Sequence, residues 1–156
     1  MILAIDPGPI ESAYVIISDG LLEVVEKGKI PNNELMERIP QLQGISHAAV
    51  EMIASYGMAV GKDVFETCVW IGRFIEVIAK NFHFEPTKIY RKDEKLCLCN
   101  SMKAKDSNIR MALIDRFGPV GTKKKPGYFY GFKKDIWAAM AVAVAYHDIY
   151  LTGEGL

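Results

Sequence analysis

Apolar residues fill Ile2-Leu3-Ala4-Ile5 without a break, and the run ends on Asp6 before Pro7 and Gly8 stop it. Consecutive apolar positions predict a strand buried on both faces, and Pro-Gly predicts the turn that closes it. Ala13-Tyr14-Val15-Ile16-Ile17-Ser18 and Leu21-Leu22-Glu23-Val24-Val25-Glu26-Lys27-Gly28 flank Asp19-Gly20. Two strand-like runs around Asp-Gly predict a hairpin on a type I′ turn, which needs positive φ at both central residues. Residues 1–30 therefore read as a three-stranded antiparallel meander. Asn32 or Asn33 is placed to cap a short helix carrying Leu35, Met36 and Ile39, which Pro40 kinks or ends.

His47-Ala48-Ala49-Val50-Glu51 repeats the opening pattern, a short apolar run that finishes on an acid. A polar loop from Ser55 to Gly61 follows. Val64, Cys68, Ile71, Ile75, Ile78 and Phe82 then recur at three- and four-residue spacing, which predicts a long helix over 62–82. Phe65, Val69, Gly72 and Val77 widen its apolar surface, enough to pack against another chain. Thr87-Lys88-Ile89-Tyr90 begins a fifth strand, and Cys97-Leu98-Cys99 alternates as a strand would. Asp106 or Ser107 is placed to cap a helix through Ile109, Ala112, Leu113 and Phe117, which stops at Gly118-Pro119. Residues 121–131 read as a loop with a lysine run and aromatics, and Asp135 opens an alanine-rich helix over 136–146. This order predicts one α/β domain over residues 1–156: a mixed five-stranded sheet, three antiparallel strands then parallel additions, with helices on its faces.

Composition narrows the class. Half of the 156 residues are hydrophobic and 24% are charged, which is a globular balance and not a disordered one. No apolar run approaches a membrane span, and the N-terminus lacks the basic start and cleavage site of a signal peptide. Cys68, Cys97 and Cys99 form no framework spacing, which suits a reducing compartment. Net charge is zero but unevenly spread: residues 86–134 hold thirteen Lys and Arg against four Asp and Glu, between acidic flanks. Such a segment favours an anionic partner over a merely solvated face. Neither G-x-x-x-x-G-K-[ST] nor G-x-S-x-G occurs, so a P-loop nucleotide site and a serine nucleophile are both disfavoured.

Three acids stand out by position. Asp6 and Glu51 end apolar strands, and Asp135 stands at the start of the last apolar helix. If the two strands are parallel neighbours, both acids leave the sheet at the carboxyl edge, where open α/β sheets place their sites. Hard oxygen ligands suit Mg²⁺ or Mn²⁺ and leave positions for phosphate and water. Two such ions can activate an attacking water and stabilise the leaving oxygen in phosphodiester hydrolysis. Lys103, Lys105 and Arg110 straddle a helix start and are candidate phosphate contacts. Lys123, Lys124 and Lys125 with Tyr128 and Tyr130 have the makings of a nucleic-acid patch. Asp106 reads as a helix cap, Glu11 as a solvent-side strand residue, and His47 and His147 as structural.

Four motifs in order carry a resemblance: Ile2-Leu3-Ala4-Ile5-Asp6-Pro7-Gly8, Ala49-Val50-Glu51-Met52 with the long helix behind it, Lys103-Ala104-Lys105-Asp106-Ser107-Asn108-Ile109-Arg110, and Lys134-Asp135-Ile136-Trp137-Ala138-Ala139. Together they resemble the RuvC-type Holliday-junction resolvases of the RNase H-like superfamily, and within them the phage-encoded branch. The resemblance implies a metal-dependent, homodimeric endonuclease on four-way or branched DNA, with Asp6, Glu51 and Asp135 as metal ligands. It also implies a bacterial cytoplasm as its setting. Two positions depart from the family pattern. Ala138 stands where a second acid or its partner is usual on the last helix. Ala54 stands where a stacking aromatic is usual, leaving Tyr56 as the nearest substitute. The alternatives are a junction-binding protein with weak or lost cleavage, and an RNase H-like nuclease for another branched or RNA-containing substrate.

Overall fold

The structure is a computed structural model that describes residues 1–152. Its five strands are β1 (Ile2–Asp6), β2 (Glu11–Ile17), β3 (Val24–Pro31), β4 (His47–Met52) and β5 (Thr87–Tyr90). They form one sheet in the order β3-β2-β1-β4-β5. The first three strands pair antiparallel, and β4 and β5 add in parallel beside β1. This is the mixed sheet that the sequence pattern predicts.

Alternation along the strands divides the core in two. Leu3, Ile5, Tyr14, Ile16, Ala48 and Val50 point to one face and pack against Leu35 of helix α1 (Asn32–Arg38), Ile39 just after it, and Ile71, Phe74 and Ile78 of helix α2 (Lys62–Phe82). Ile2, Ala4, Ala13, Val15, Ala49 and Ile89 point to the other. That second face is covered by α5 (Ile136–Tyr146), which is buried at every position except Ala138, and by α4 (Asp106–Phe117) through Ile109 and Leu113. A helix that is apolar all round belongs in the interior, which explains the alanine-rich composition of α5. Among the described residues no helix is long and apolar enough to cross a membrane.

Several local expectations are overturned. The β2–β3 connection is not a two-residue type I′ turn. It spans Ser18 to Glu23, closed by Ser18 N–H donating to the Glu23 carbonyl at 2.9 Å. Leu22, not Gly20, takes the left-handed conformation, at φ 55°, because its side chain is drawn into the core. Asn32 does not cap α1; Pro31 stands at that position and makes no side-chain cap. Asn32 is buried instead, accepting from Ser12 Oγ at 2.5 Å and donating to the Gly8 carbonyl at 2.9 Å, while Gly8 N–H donates to Ser12 Oγ at 3.1 Å. The turn after Asp6 is therefore fixed by polar groups from β2 and α1.

The strand-like reading of Cys97 to Cys99 is also wrong. Arg91–Cys99 is a helix, α3, entered directly from β5 and capped by Asp93, whose carboxylate accepts from the Tyr90 N–H at 3.0 Å. It ends at Asn100, which adopts φ 52°. Asp106 is not the cap of α4. It lies inside the helix and pairs with Arg91, while Asn108 accepts from the Lys105 N–H at 2.8 Å at the helix start. His47 Nδ1 is 3.0 Å from the Tyr146 hydroxyl, and His147 Nδ1 lies 2.9 Å from an Asp148 carboxylate oxygen.

Candidate active site

Register explains how two acids far apart in sequence meet. Ile5 lies opposite Val50 in the parallel β1–β4 pair, so Asp6 and Glu51 follow side by side at the carboxyl ends. Asp6 also lies opposite Ala13, Ala13 opposite Lys29, and Glu51 opposite Ile89. One row thus crosses the sheet from Lys29 through Ala13, Asp6 and Glu51 to Ile89. Residues in such a row share a face, and Ala13 and Ile89 belong to the core under α5. Asp6 and Glu51 therefore point toward α3, α4 and the start of α5.

Asp135 stands immediately before α5 and is half exposed. Lys134 just before it is at φ 44°, a left-handed conformation that costs a residue with a Cβ roughly 1–2 kcal/mol. In this position Asp135 accepts from Lys29 Nζ at 2.7 Å, across 106 residues of chain. Lys29 is the end of the strand row that contains Asp6. Lys29 therefore holds the third acid at the β3 side of the pair.

A fourth acid, which sequence reading missed, lies on α3. Glu94 is 0% exposed. Arg91 Nη1 donates to its Oε2 at 2.5 Å, and Oε1 has no hydrogen-bond partner. Glu94 sits one turn beyond β5, on the side of the row opposite Lys29 and Asp135.

The electrostatics follow from this crowding. Burial first, then the Glu51 charge and a side-chain hydrogen bond to Glu51, push the Asp6 carboxyl up to about 10; Asp135 and Glu94 push the same way. Without a metal, Asp6 therefore keeps its proton at neutral pH. Burial and the nearby Glu51 charge push Glu94 up to about 8, against the lowering effect of Arg91. Among the described residues no three His, Cys, Asp or Glu side chains stand as a ready ligand set. Three of the acids are instead matched by a proton or a cation: Asp6 by its proton, Asp135 by Lys29, and one oxygen of Glu94 by Arg91. The donors nonetheless fit a hard divalent cation. All are carboxylate oxygens, two leave adjacent strands together, and one buried oxygen lacks a partner. A cation there offsets the repulsion that the Asp6 proton now offsets.

The remaining candidate residues fall into groups. Arg110 joins the acids: its guanidinium lies 4.9 Å from the Trp137 ring, and it lines a cleft with Arg91, Asp106, Lys134, Asp135, Trp137 and Ala138. Three cations against two acids make this cleft, next to the carboxylates, suited to a phosphate. Ala138 borders it as the pattern predicts, one turn along from Asp135. Lys103 lines a different hollow with Cys99, Ser101, Ala104 and Asn108, and Lys105 is exposed at the start of α4. Tyr56 is 67% exposed in the loop after β4, at φ 49°.

Lys123, Lys124 and Lys125 are exposed on a small closed turn, where Gly121 bridges Pro126 and Thr122 N–H donates to the Lys125 carbonyl at 3.0 Å. The stacking role read for Tyr128 does not hold. Its ring stacks inward on Phe117 and its hydroxyl donates to the Leu22 carbonyl, because the aromatic cluster offers more burial than solvent does. Tyr130 remains 41% exposed.

No protein-family model matches the sequence, and no curated protein matches it. Solved structures do match. Thermus thermophilus RuvC in complex with a Holliday junction substrate superposes with a TM-score of 0.75 at 13% identity, covering 97% of this chain and 95% of that one. A second Thermus thermophilus RuvC structure gives a TM-score of 0.71 at 15% identity, covering 97% and 96%. The superposition covers 97% of this chain, so this chain has the RNase H-like fold in the form seen in RuvC.

Proposed function

We propose that the chain is a metal-dependent, structure-selective endonuclease that resolves four-way and related branched DNA by phosphodiester hydrolysis. The observation that carries this reading is the Asp6–Glu51 pair at the ends of adjacent parallel strands, with Asp135 beside it, on a fold shared with a RuvC protein that was captured on a Holliday junction. Asp6, Glu51 and Asp135 are the residues that would hold Mg²⁺ or Mn²⁺, two ions per site. When bound, such ions supply Lewis acidity and lower the pKa of a coordinated water. The chain's own contribution is position. The Ser12–Asn32 network fixes the turn behind Asp6, and the register of β1 and β4 fixes the spacing of the pair. Arg91, Arg110 and Lys134 give the adjoining cleft its hold on a phosphate. Lys29 competes with the metals for Asp135, so loading requires that ion pair to open.

A four-way junction has two-fold symmetry, and a C₂ dimer would present two such sites to related strands. The α2 surface supports a dimer: Phe65 and Val69 stand 63% and 59% exposed on one long helix. The test is a synthetic four-way junction incubated with the protein and Mg²⁺, with strands resolved on a denaturing gel. Paired nicks near the branch point, from a protein that sediments as a dimer, are expected. A mobility shift with intact strands would favour the junction-binding alternative. Cleavage of an RNA–DNA hybrid in preference to the junction would favour the other nuclease reading.

Junction affinity should fall steeply with salt, because the basic residues of segment 86–134 would displace counterions from phosphates. The slope of log K against log salt is roughly −0.9 for each phosphate neutralised. Replacing Lys123, Lys124 and Lys125 by alanine is expected to flatten that slope by about one unit per lysine in contact with a phosphate. A slope identical to that of the parent would mean that the three side chains do not touch DNA.

A further inference from the structure

Glu94 is not explained as an ordinary buried ion pair. Arg91 is able to grip a carboxylate with two nitrogens, and a structural pair gains most when both oxygens are satisfied. Here Arg91 divides its donors, one nitrogen to Glu94 Oε2 and the other to Asp106, and leaves Glu94 Oε1 buried and alone. An orphaned carboxylate oxygen in the interior is costly and asks for a proton, a water or an ion. Glu94 neighbours the acidic pair: Glu51 is the strongest charge that it meets, and Asp6 feels Glu94 in turn. Position gives the same result. Glu51 lies opposite Ile89 on β5, and α3 begins two residues later and packs on β5, α4 and α5, so Glu94 stands one turn beyond the strand paired with Glu51.

We propose that Glu94 is a fourth metal-facing carboxylate of this site, serving the ion on the Glu51 side and remote from Asp135. The inference rests on the metal-centre reading above. The cluster then runs Asp135, Asp6, Glu51, Glu94 across the row. The ligand that Ala138 cannot provide beside Asp135 is matched by an acid at the opposite end. Arg91 orients Glu94 from behind and ties it to the phosphate-binding cleft through Asp106.

The probe is Mn²⁺ alone, titrated into the full-length protein without DNA and followed by the EPR signal of free Mn²⁺. Thermal unfolding with and without Mn²⁺ checks that each variant is folded and reports binding independently, since a ligand of the native state raises the midpoint. Glu94→Gln, which keeps the shape and the Arg91 contact, is expected to weaken Mn²⁺ binding at least about tenfold, the scale of losing one well-placed partner of a metal site. Asp6→Asn is the control for the site itself. If Asp6→Asn loses Mn²⁺ and Glu94→Gln binds it as the parent does, Glu94 is a structural residue and the inference is overturned while the metal centre stands. If Asp6→Asn also binds as the parent does, the metal-centre reading falls and the inference falls with it. Should Glu94→Gln fail to fold, Glu94→Asp keeps the charge for Arg91 and withdraws the carboxylate by one methylene. Its Mn²⁺ affinity is expected below that of the parent, and an unchanged affinity overturns the inference equally.

Discussion

Asp6→Asn and Glu51→Gln are each expected to slow junction nicking by about 1,000-fold or more while junction binding stays near the parental level, since metal Lewis acidity supplies several kcal/mol and about 1.4 kcal/mol is worth tenfold. Both substitutions keep side-chain size and remove a charged oxygen from the pair that leaves β1 and β4 together. On the proposed reading binding rests on the cations of segment 86–134, and neither substitution alters them. In chelator, Asp6→Asn is also expected to be more stable than the parent at pH 8. Burial and the Glu51 charge raise the Asp6 carboxyl from 3.8 to about 10. The folded chain therefore holds a proton that the unfolded chain releases above about pH 4. Stability from this group is complete below the unfolded pKa and is lost as pH rises toward the folded one. The parent should weaken from pH 5.5 to pH 8 in urea titrations without metal, and Asp6→Asn should weaken less. Parental nicking rates in either variant would remove both acids from the site. A metal-free pH dependence that Asp6→Asn leaves unchanged would separate Asp6 from the proton.

What was legible in the sequence divides along physical lines. Asp6 and Glu51 were readable because both the apolar run and the acid that ends it are local in the chain. The bounds of α2 were readable because 21 residues of helical periodicity average out single exceptions such as the buried Thr67. Helix α3 was not readable. It has only nine residues, its Leu96-Cys97-Leu98-Cys99 end alternates, and the residue that it buries is Glu94. A helix whose inward position is an acid violates the polar-out rule on which periodicity depends. The missed helix and the missed acid are therefore one event. Ion pairs such as Lys29–Asp135 join distant segments and leave no spacing to find. The buried Leu22 and the inward Tyr128 show tertiary burial overriding local turn and surface preferences. The only available signal for Glu94 was the charge order Arg91-Lys92-Asp93-Glu94-Lys95 directly after a strand, where an acid falls near the same sheet edge as Glu51.

Phe129→Ala is expected to cost about 3–5 kcal/mol, the range for removing a fully buried aromatic ring from a packed core. Phe129 is 0% exposed and is the hub of the aromatic cluster beneath the lysine-bearing turn. Its ring centroid lies 4.7 Å from Tyr128, 4.7 Å from Trp137, 5.0 Å from Phe132 and 6.1 Å from Phe117. The rings cannot all close over the space, because three of the four are held elsewhere: Phe117 by α4, Trp137 by α5, and Tyr128 by its bond to the Leu22 carbonyl. The cavity therefore persists, and the loss exceeds the transfer energy of the side chain alone. At about 2–4 °C per kcal/mol for a chain of this size, the melting midpoint should fall by about 6–20 °C. Met111→Ala is the control. Met111 is 53% exposed on α4, and a surface change of that kind stays within about 0.5 kcal/mol. The consequence reaches the site, because Phe132 and Trp137 bracket Asp135 in the chain and both pack on Phe129. Below its melting midpoint, folded Phe129→Ala should therefore need more Mg²⁺ for junction nicking than the parent does. Urea unfolding of the two variants decides the energetic part: if Phe129→Ala costs no more than Met111→Ala, the ring does not anchor this region.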